Sequence, residues 1–415
     1  MASDRVNSIL KHLSPGSPLA AITAKNPDDV VITVAIRTPL CKGKKGGFKD
    51  TSVEYLMYAI LKATRERLGF SPDLVEDICM GNVSDAKAAY KTRAAALAAG
   101  FPNTTGASSV NRFCSSGLKA TADIAHQIVT GSIEIGIAAG TESMSIGGDN
   151  LEQPFDEEVT KHSQEAIDCM MAMGWTSENV AKDFGISREA VDEFAAESFR
   201  RAEVTQKAGF FADEIAPITT KIKGPDGVLK TVTLSQDEGI RPGTTATGLG
   251  KIRSAFPQWG PITTGGNASQ VSDGAAAVVL MKRSKAIELG VPIMAKYVGS
   301  TIAGLAPRIM GIGPTVAIPK LLKQFNIGIN DCDVVEINEA FGTMAVYSRD
   351  FLKLDWTKLN PRGGAIALGH PLGATGTRQI VTGLSELRRT KKKILLTSMC
   401  IGTGMGMAGL FVNEQ

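Results

Sequence analysis

The chain has 415 residues, 43% of them hydrophobic and 21% charged, which excludes a disordered or collagen-like polymer and suits two or three domain-sized units. Its 45 Lys and Arg oppose 42 Asp and Glu; a formal charge of +3 argues against a nucleic-acid surface but leaves an anionic small molecule open. No apolar run reaches the ~18 residues of a membrane span, and the more telling counts are 44 glycines beside 6 cysteines and 4 histidines.

The residues before Asn26 form a leader broken by Pro15, Gly16, Ser17 and Pro18. On a helix, Val6, Ile9, Leu10 and Leu13 would share one face. The leader has no long apolar stretch, which disfavours a secretory signal, and Asp4 with few basic residues disfavours a mitochondrial presequence. Arg5 and Val6, then five residues, then His12 and Leu13 resemble the type-2 peroxisomal targeting signal. That resemblance implies an import receptor as partner. A frayed amphipathic leader with no address fits the same residues.

From Val30 onward, β-branched runs alternate with Ala-rich helical stretches, the pattern of an α/β protein. Strands are predicted over residues 30–36, 77–83, 133–139, 275–281, 333–337 and 394–398. Helices are predicted over 53–68, 92–99, 117–129 and 188–202. Between 145 and 271 the pattern loosens into a Met-rich stretch (169–173), a helix and a Gly/Thr-rich stretch (239–250). It reads as an insertion, the kind of excursion that carries binding determinants.

The cysteines are Cys41, Cys79, Cys114, Cys169, Cys332 and Cys400, widely spread and never in a C-x-x-C pair. No metal site is expected, and a reducing interior is. Most should be inert small hydrophobes. Cys114 and Cys400 stand apart because glycines flank each where a strand-like segment turns.

Segment 111–117 (Asn-Arg-Phe-Cys-Ser-Ser-Gly) leads into an Ala-rich helix. A thiol at a helix N-terminus sees partial positive charge, which lowers its pKa and favours the thiolate. A buried cysteine at a tight crossing is the competing reading of that segment alone. Residues 360–376 place five glycines around His370, pointing to crowded backbone at one imidazole. The other histidines fall in the leader (His12), a helix (His126) and the insertion (His162), so His370 is the general-base candidate. Segment 398–404 (Ser-Met-Cys-Ile-Gly-Thr-Gly) follows a strand and offers a second thiol, Cys400, with glycine N–H groups suited to an oxyanion hole. Asn338 also follows a strand, placed either to orient a water or an oxyanion or to cap a turn.

The two halves echo each other. Residues 77–82 and 333–338 each read as a strand ending on Asn, and Cys114 follows Asn82 by 32 residues as His370 follows Asn338. A glycine, a helix and an apolar strand come next in both. Three echoes in register favour duplication. A pseudo-twofold would then carry two helix N-termini, bearing Cys114 and His370, to one place.

Taken together, the segments around Cys114, Asn338, His370 and Cys400, in this order and spacing, resemble the thiolases over residues 30–412, most closely the fungal peroxisomal 3-ketoacyl-CoA members. The resemblance implies a duplicated αβαβα layered α/β fold, with mixed sheets covered by helices. It divides the chain into a leader (1–27), an N-terminal half (28–144 with 272–292), an inserted loop domain that binds CoA (145–271) and a C-terminal half (293–415). It implies Cys114 as the acylated nucleophile, His370 as its activator and Cys400 as the acid/base at the acetyl-CoA carbanion. Asn338 would partner His370 through a water in one oxyanion hole; the N–H groups of Cys114 and Gly402 would form another. Ser269 and Phe341 would line the pantetheine channel, Arg241 the nucleotide end, and Met173 a CoA loop. Coenzyme A and acyl-CoA are the implied partners, with no permanently bound cofactor and no metal, in a homodimer of the peroxisomal matrix.

The segment at Ala172 carries alanine where many acetoacetyl-CoA thiolases have histidine, which favours a broader 3-ketoacyl substrate over an acetoacetyl-CoA enzyme running towards condensation. A ketoacyl synthase needs a second C-terminal histidine that is lacking. A catalytically silent acyl-CoA or lipid binder sits poorly with both thiols and His370 present.

Overall fold

The β-branched run at Val30 forms β1 (Val30–Arg37), buried along its whole length. It lies near the middle of a mixed ten-stranded sheet in the computed structural model, which describes residues 17–147 and 155–415. The other strands in chain order are β2 (Cys41–Lys42), β3 (Asp77–Gly81), β4 (Gly106–Val110), β5 (Ile135–Ser143), a separate hairpin of β6 (Ile218–Lys223) and β7 (Leu229–Leu234), β8 (Ser272–Lys282), β9 (Ala295–Gly304), β10 (Val334–Ile337), β11 (Ile394–Ile401) and β12 (Met405–Asn413). The longer helices are α1 (Val53–Arg65), α2 (Ala88–Ala98), α3 (Ser116–Thr130), α4 (Met173–Phe184), α5 (Arg188–Lys207), α6 (Gly313–Gln324), α7 (Gly342–Phe351) and α8 (Thr375–Thr390).

The sheet order, β10-β11-β12-β9-β1-β8-β5-β3-β4, shows the duplication. In one half β3 and β5 are parallel, and β5, β8 and β1 then run antiparallel in succession. In the other, β10 and β11 are parallel, and β11, β12 and β9 repeat the antiparallel series. The halves join edge to edge through only two pairs, Val31 with Lys296 and Ile32 with Ala295.

Helices α3 and α8 form a middle layer. Leu118, Ile124, Ile380 and Leu384 share one cluster with Val278 of the first half and Leu395 and Phe411 of the second. α1 and α2 cover the first half's other face through Met57, Ile60 and Ala95, and α5 and α6 cover the second's through Phe194, Phe199 and Leu321. The result is five layers, αβαβα. Helix α8 is buried from Thr375 to Leu387 although it carries Arg378, Gln379 and Glu386, an arrangement that demands internal partners for each.

Gly117 and Gly376 let the two middle helices meet at their N-termini. A Cβ on Gly117 would come 2.7 Å from the Thr377 nitrogen and 2.9 Å from the Gly373 carbonyl oxygen. The convergence matches the duplication, but its register differs from the one read in the sequence. Ser116 and Thr375 open α3 and α8, 259 residues apart, as are Ile135 and Ile394 at the strands that follow. Gly373 is therefore the counterpart of Cys114, and His370 stands three residues earlier. Equal spacing from Asn82 and Asn338 misled because the connection before α8 follows a different path.

The predicted elements fall on observed ones with shifted ends; the helix predicted over 92–99, for example, lies within α2 except for its last residue. The leader pattern at Arg5, Val6, His12 and Leu13 lies outside the described residues. No helix among the described residues is long and apolar enough to cross a membrane.

Candidate active site

Cys114 stands two residues before α3, in a turn closed when the Arg112 N–H donates to Ser116 Oγ at 2.8 Å. Phe113 takes a left-handed conformation there (φ 47°), a cost that tight functional turns carry. The half-buried Cys114 Sγ accepts from the backbone N–H of Gly402. Desolvation nevertheless pushes this thiol up to about 11, aided by the nearby Glu142 carboxylate and offset only partly by the Gly402 and Cys114 N–H groups. The sequence-based expectation of a lowered pKa is thus corrected: burial outweighs the N–H groups that face the sulfur.

Cys400 is buried near the end of β11. Its Sγ–H points at Met344 Sδ, 3.4 Å away. Burial, then the proximity of Cys114, hold this thiol well above its ordinary range. Gly402 follows within the turn to β12, where Thr403 and Gly404 are both left-handed (φ 69° and 87°). A Cβ on Gly402 would lie 3.8 Å from the Phe113 ring and 3.9 Å from Met173 Sδ. Cys114, Cys400, Gly402 and Met173 are therefore neighbours.

His370 is buried and follows Gly369, whose φ of 111° suits glycine. Its N–H donates to the Gln270 carbonyl at 3.1 Å. Nδ1 lies 2.6 Å from Thr375 Oγ1, and Thr375 gives its one hydroxyl hydrogen to the Pro371 carbonyl at 3.0 Å. Nδ1 must then carry a hydrogen, leaving Nε2 as the acceptor. Asn338 Nδ2 donates to that Nε2 at 3.2 Å. Burial, then the positive charge of Arg378, hold the imidazole neutral, its pKa lowered to about 3. Asn338 Oδ1 is buried with no partner among the described residues.

Two further expected residues lead outward from Cys400. Phe341 packs on the cluster of Met310, Ala340, Met344 and Cys400. Ser269 donates its N–H to the Ala340 carbonyl at 3.0 Å, and Ala268 pairs with Phe341. Beyond them Arg241 is exposed, its guanidinium 5.5 Å over the Phe199 ring and Nη1 3.5 Å from the Gly265 carbonyl. An exposed cation at the outer end and two sulfurs at the inner end suit an elongated anionic thioester.

Sequence reasoning missed Thr375, Met344 and Glu142. The Thr375 signal lay in the segment itself, since a buried imidazole needs a partner on each nitrogen. Met344 and Glu142 gave no signal, because only the fold carries them to the site. Among the described residues no group of three His, Cys, Asp or Glu side chains could hold a metal ion.

The model of the thiolase N-terminal domain matches residues 30–284, and that of the thiolase C-terminal domain matches 291–413. The chain belongs to the thiolase family. This thiolase is 50% identical over 415 residues to the peroxisomal 3-ketoacyl-CoA thiolase of Yarrowia lipolytica, covering 99% of this chain and 100% of the relative. It is 47% identical to the human peroxisomal 3-ketoacyl-CoA thiolase, over 92% of this chain and 90% of that one. Its fold superposes on the dimeric peroxisomal thiolase of Saccharomyces cerevisiae with a TM-score of 0.88 and 46% identity, covering 95% and 100% of the two chains.

Proposed function

We propose that this thiolase cleaves 3-ketoacyl-CoA with free CoA, giving acetyl-CoA and an acyl-CoA two carbons shorter, in peroxisomal fatty-acid β-oxidation. The observation that carries the reading is the proximity of two thiols, Cys400 lying beside Cys114, whose sulfur accepts the Gly402 N–H. The full-length likeness to peroxisomal 3-ketoacyl-CoA thiolases supports the substrate and the compartment.

His370 Nε2 takes the proton of Cys114, whose thiolate attacks the 3-keto carbon. The oxyanion that forms is met by the N–H groups of Cys114 and Gly402. Collapse breaks the C2–C3 bond and leaves the acyl group on Cys114. The departing enolate of acetyl-CoA takes its proton from Cys400, while the His370 Nε2–H stabilises its oxygen, Asn338 moving from its direct contact with Nε2 to act through a water. A fresh CoA thiol then gives its proton to the Cys400 thiolate and attacks the acyl-enzyme; Cys114 leaves as a thiolate and takes back the proton held by His370.

Coenzyme A acts as co-substrate, with Arg241 at its phosphates, Ser269 and Phe341 along the pantetheine, and Met173 by the thioester. The working unit is a homodimer, a reading supported by the likeness to the dimeric peroxisomal thiolase of Saccharomyces cerevisiae. The free edge of β4 suits a second copy. Among the described residues it pairs only with β3, whereas the opposite edge at β10 is covered by bonds to Lys358 and Asn360. Exposed Tyr90 and Leu97 on the adjoining α2 add apolar surface.

The test is cleavage of a chain-length series of 3-ketoacyl-CoAs with and without CoA. Cleavage that requires CoA at several chain lengths is expected. Turnover of acetoacetyl-CoA alone would favour the condensing alternative, and no turnover at any length would leave a silent acyl-CoA binder.

A further inference from the structure

Beneath His370 lies a buried ion pair that the reaction does not use. Arg378 Nη1 donates to Glu336 Oε2 at 2.9 Å, and each side chain is 1% exposed. Glu336 lies in β10 two residues before Asn338, which extends the strand's pairing by donating its N–H to the Ser398 carbonyl at 2.9 Å, so the two fall on the same side. Arg378 follows Thr375 by three on the same face of α8. The two elements joined by the pair are thus the ones that hold the two imidazole nitrogens. Gln379 reinforces the junction by donating to the carbonyls of Glu336 (3.1 Å) and Ser398 (3.3 Å).

The geometry points to Glu336 and Arg378 as positioning residues for His370, pinning the strand that carries Asn338 to the helix that carries Thr375. The inference rests on His370 acting as the proton acceptor. Two charges removed from water are an expensive way to attach a helix to a strand, and apolar residues of similar size often serve stability equally well. What an apolar pair lacks is direction: the Arg378–Glu336 hydrogen bond fixes one alignment of β10 on α8. The other charged groups facing the pair are Glu339 and Glu214. Burial pushes Glu336 up to about 7, and Arg378 draws it back only in part. Arg378 is the charged group that disfavours imidazolium at His370. Arg378 Nε and Nη2 and Glu336 Oε1 have no partner among the described residues, so a single contact fixes the guanidinium's position.

The test measures acyl-enzyme formation on Cys114 and the NMR titration of the His370 C2 proton, one of 4 histidines in the chain, assigned by comparison with His370→Asn. In wild type that signal should stay silent from pH 5 to 9. Arg378→Met and Glu336→Gln should each slow acylation by about tenfold or more, with KM changed by less than about twofold. In Arg378→Met the His370 pKa should rise relative to wild type, and Arg378→Lys, which keeps a cation on the same face of α8, should restore part of the lost rate. Acylation rates within about twofold of wild type in both variants would overturn the inference. Glu336→Gln preserves side-chain size and carries the test alone should Arg378→Met not fold: a wild-type acylation rate in it sinks the idea. Should wild type form no acyl-enzyme, the functional reading falls while the titration still reports on the pair.

Discussion

Glu142 of the first half accepts the backbone N–H of Gly373, in the second half, at 2.9 Å. The same carboxylate accepts the N–H groups of Val83 (3.1 Å) and Ser84 (3.2 Å) and the Ser84 hydroxyl. One buried side chain thus fastens the Gly373 loop, which follows His370, to the half that supplies Cys114. Burial raises the pKa of Glu142 itself, against the pull of these donors, and in its ionised form it disfavours the Cys114 thiolate.

Replacing Glu142 separates these two effects. Glu142→Ala leaves several buried donors without a partner and should destabilise the protein by about 3 kcal/mol or more, read as a lower urea midpoint. Glu142→Gln retains one acceptor and removes the charge, so Cys114 should alkylate faster at pH 9 than in wild type. An unchanged alkylation rate would show that the charge does not reach the sulfur.

The two thiols should separate kinetically. Cys114→Ser should abolish the acyl-enzyme seen by mass spectrometry, whereas Cys400→Ser should spare acylation from a preformed acyl-CoA more than carbon–carbon cleavage. Equal loss of both activities would contradict the assigned roles. Because Cys114 is pushed up to about 11, alkylation of free wild-type enzyme should keep rising through pH 10. A plateau near neutrality would reveal a preformed thiolate.

His370 makes stability depend on pH. Its folded pKa of about 3 lies below the unfolded value of 6.5, so stability is full above 6.5 and falls by about 1.4 kcal/mol per unit as pH drops towards 3. Glu336 works the other way: raised from 4.5 to about 7, it adds stability as pH falls from 7 to 4.5. Between pH 6.5 and 4.5 the two slopes oppose each other. His370→Asn should therefore gain stability relative to wild type on going from pH 7 to pH 5, measured by denaturant unfolding. Parallel curves would refute this.

At the outer end of the site, Arg241→Ala should raise the KM for CoA by about tenfold while kcat changes little, because a phosphate contact is made equally in ground and transition states. Steady-state kinetics with CoA varied provide the check. A loss confined to kcat would move Arg241 into the chemistry.

A fluorescent reporter fused behind residues 1–20 should collect in peroxisomes, and exchanging Arg5 and His12 for alanine should release it. Diffuse signal from the unaltered fusion would leave the leader without an address.

Much of this protein could be read directly from its residues. β1 and β8 are nearly continuous runs of aliphatic residues, and their burial on both faces is what such runs encode. The glycines around Cys114, His370 and Cys400 pointed to crowded backbone, and two of the crowding partners are the helix ends at Gly117 and Gly376. β4, with the sequence Gly-Ala-Ser-Ser-Val, was missed because its propensity is weak and its place in the sheet comes from pairing with β3. β12 was missed for a related reason, its glycines interrupting an otherwise apolar run. The Cys114 pKa was misjudged because a helix dipole is legible locally, whereas desolvation is set by everything that packs around the sulfur.

The sheet order has a consequence for how the protein is made. β8 lies between β1 and β5 in space but is synthesised after the long excursion that separates Ser143 from Ser272. At usual translation speeds the ribosome needs about ten seconds to cover that interval. Throughout it, two strands made wholly of residues destined for burial wait without the strand that joins them. The nascent chain is therefore a natural client for chaperones, and a translational pause in the excursion should provoke aggregation more readily than one after Lys282.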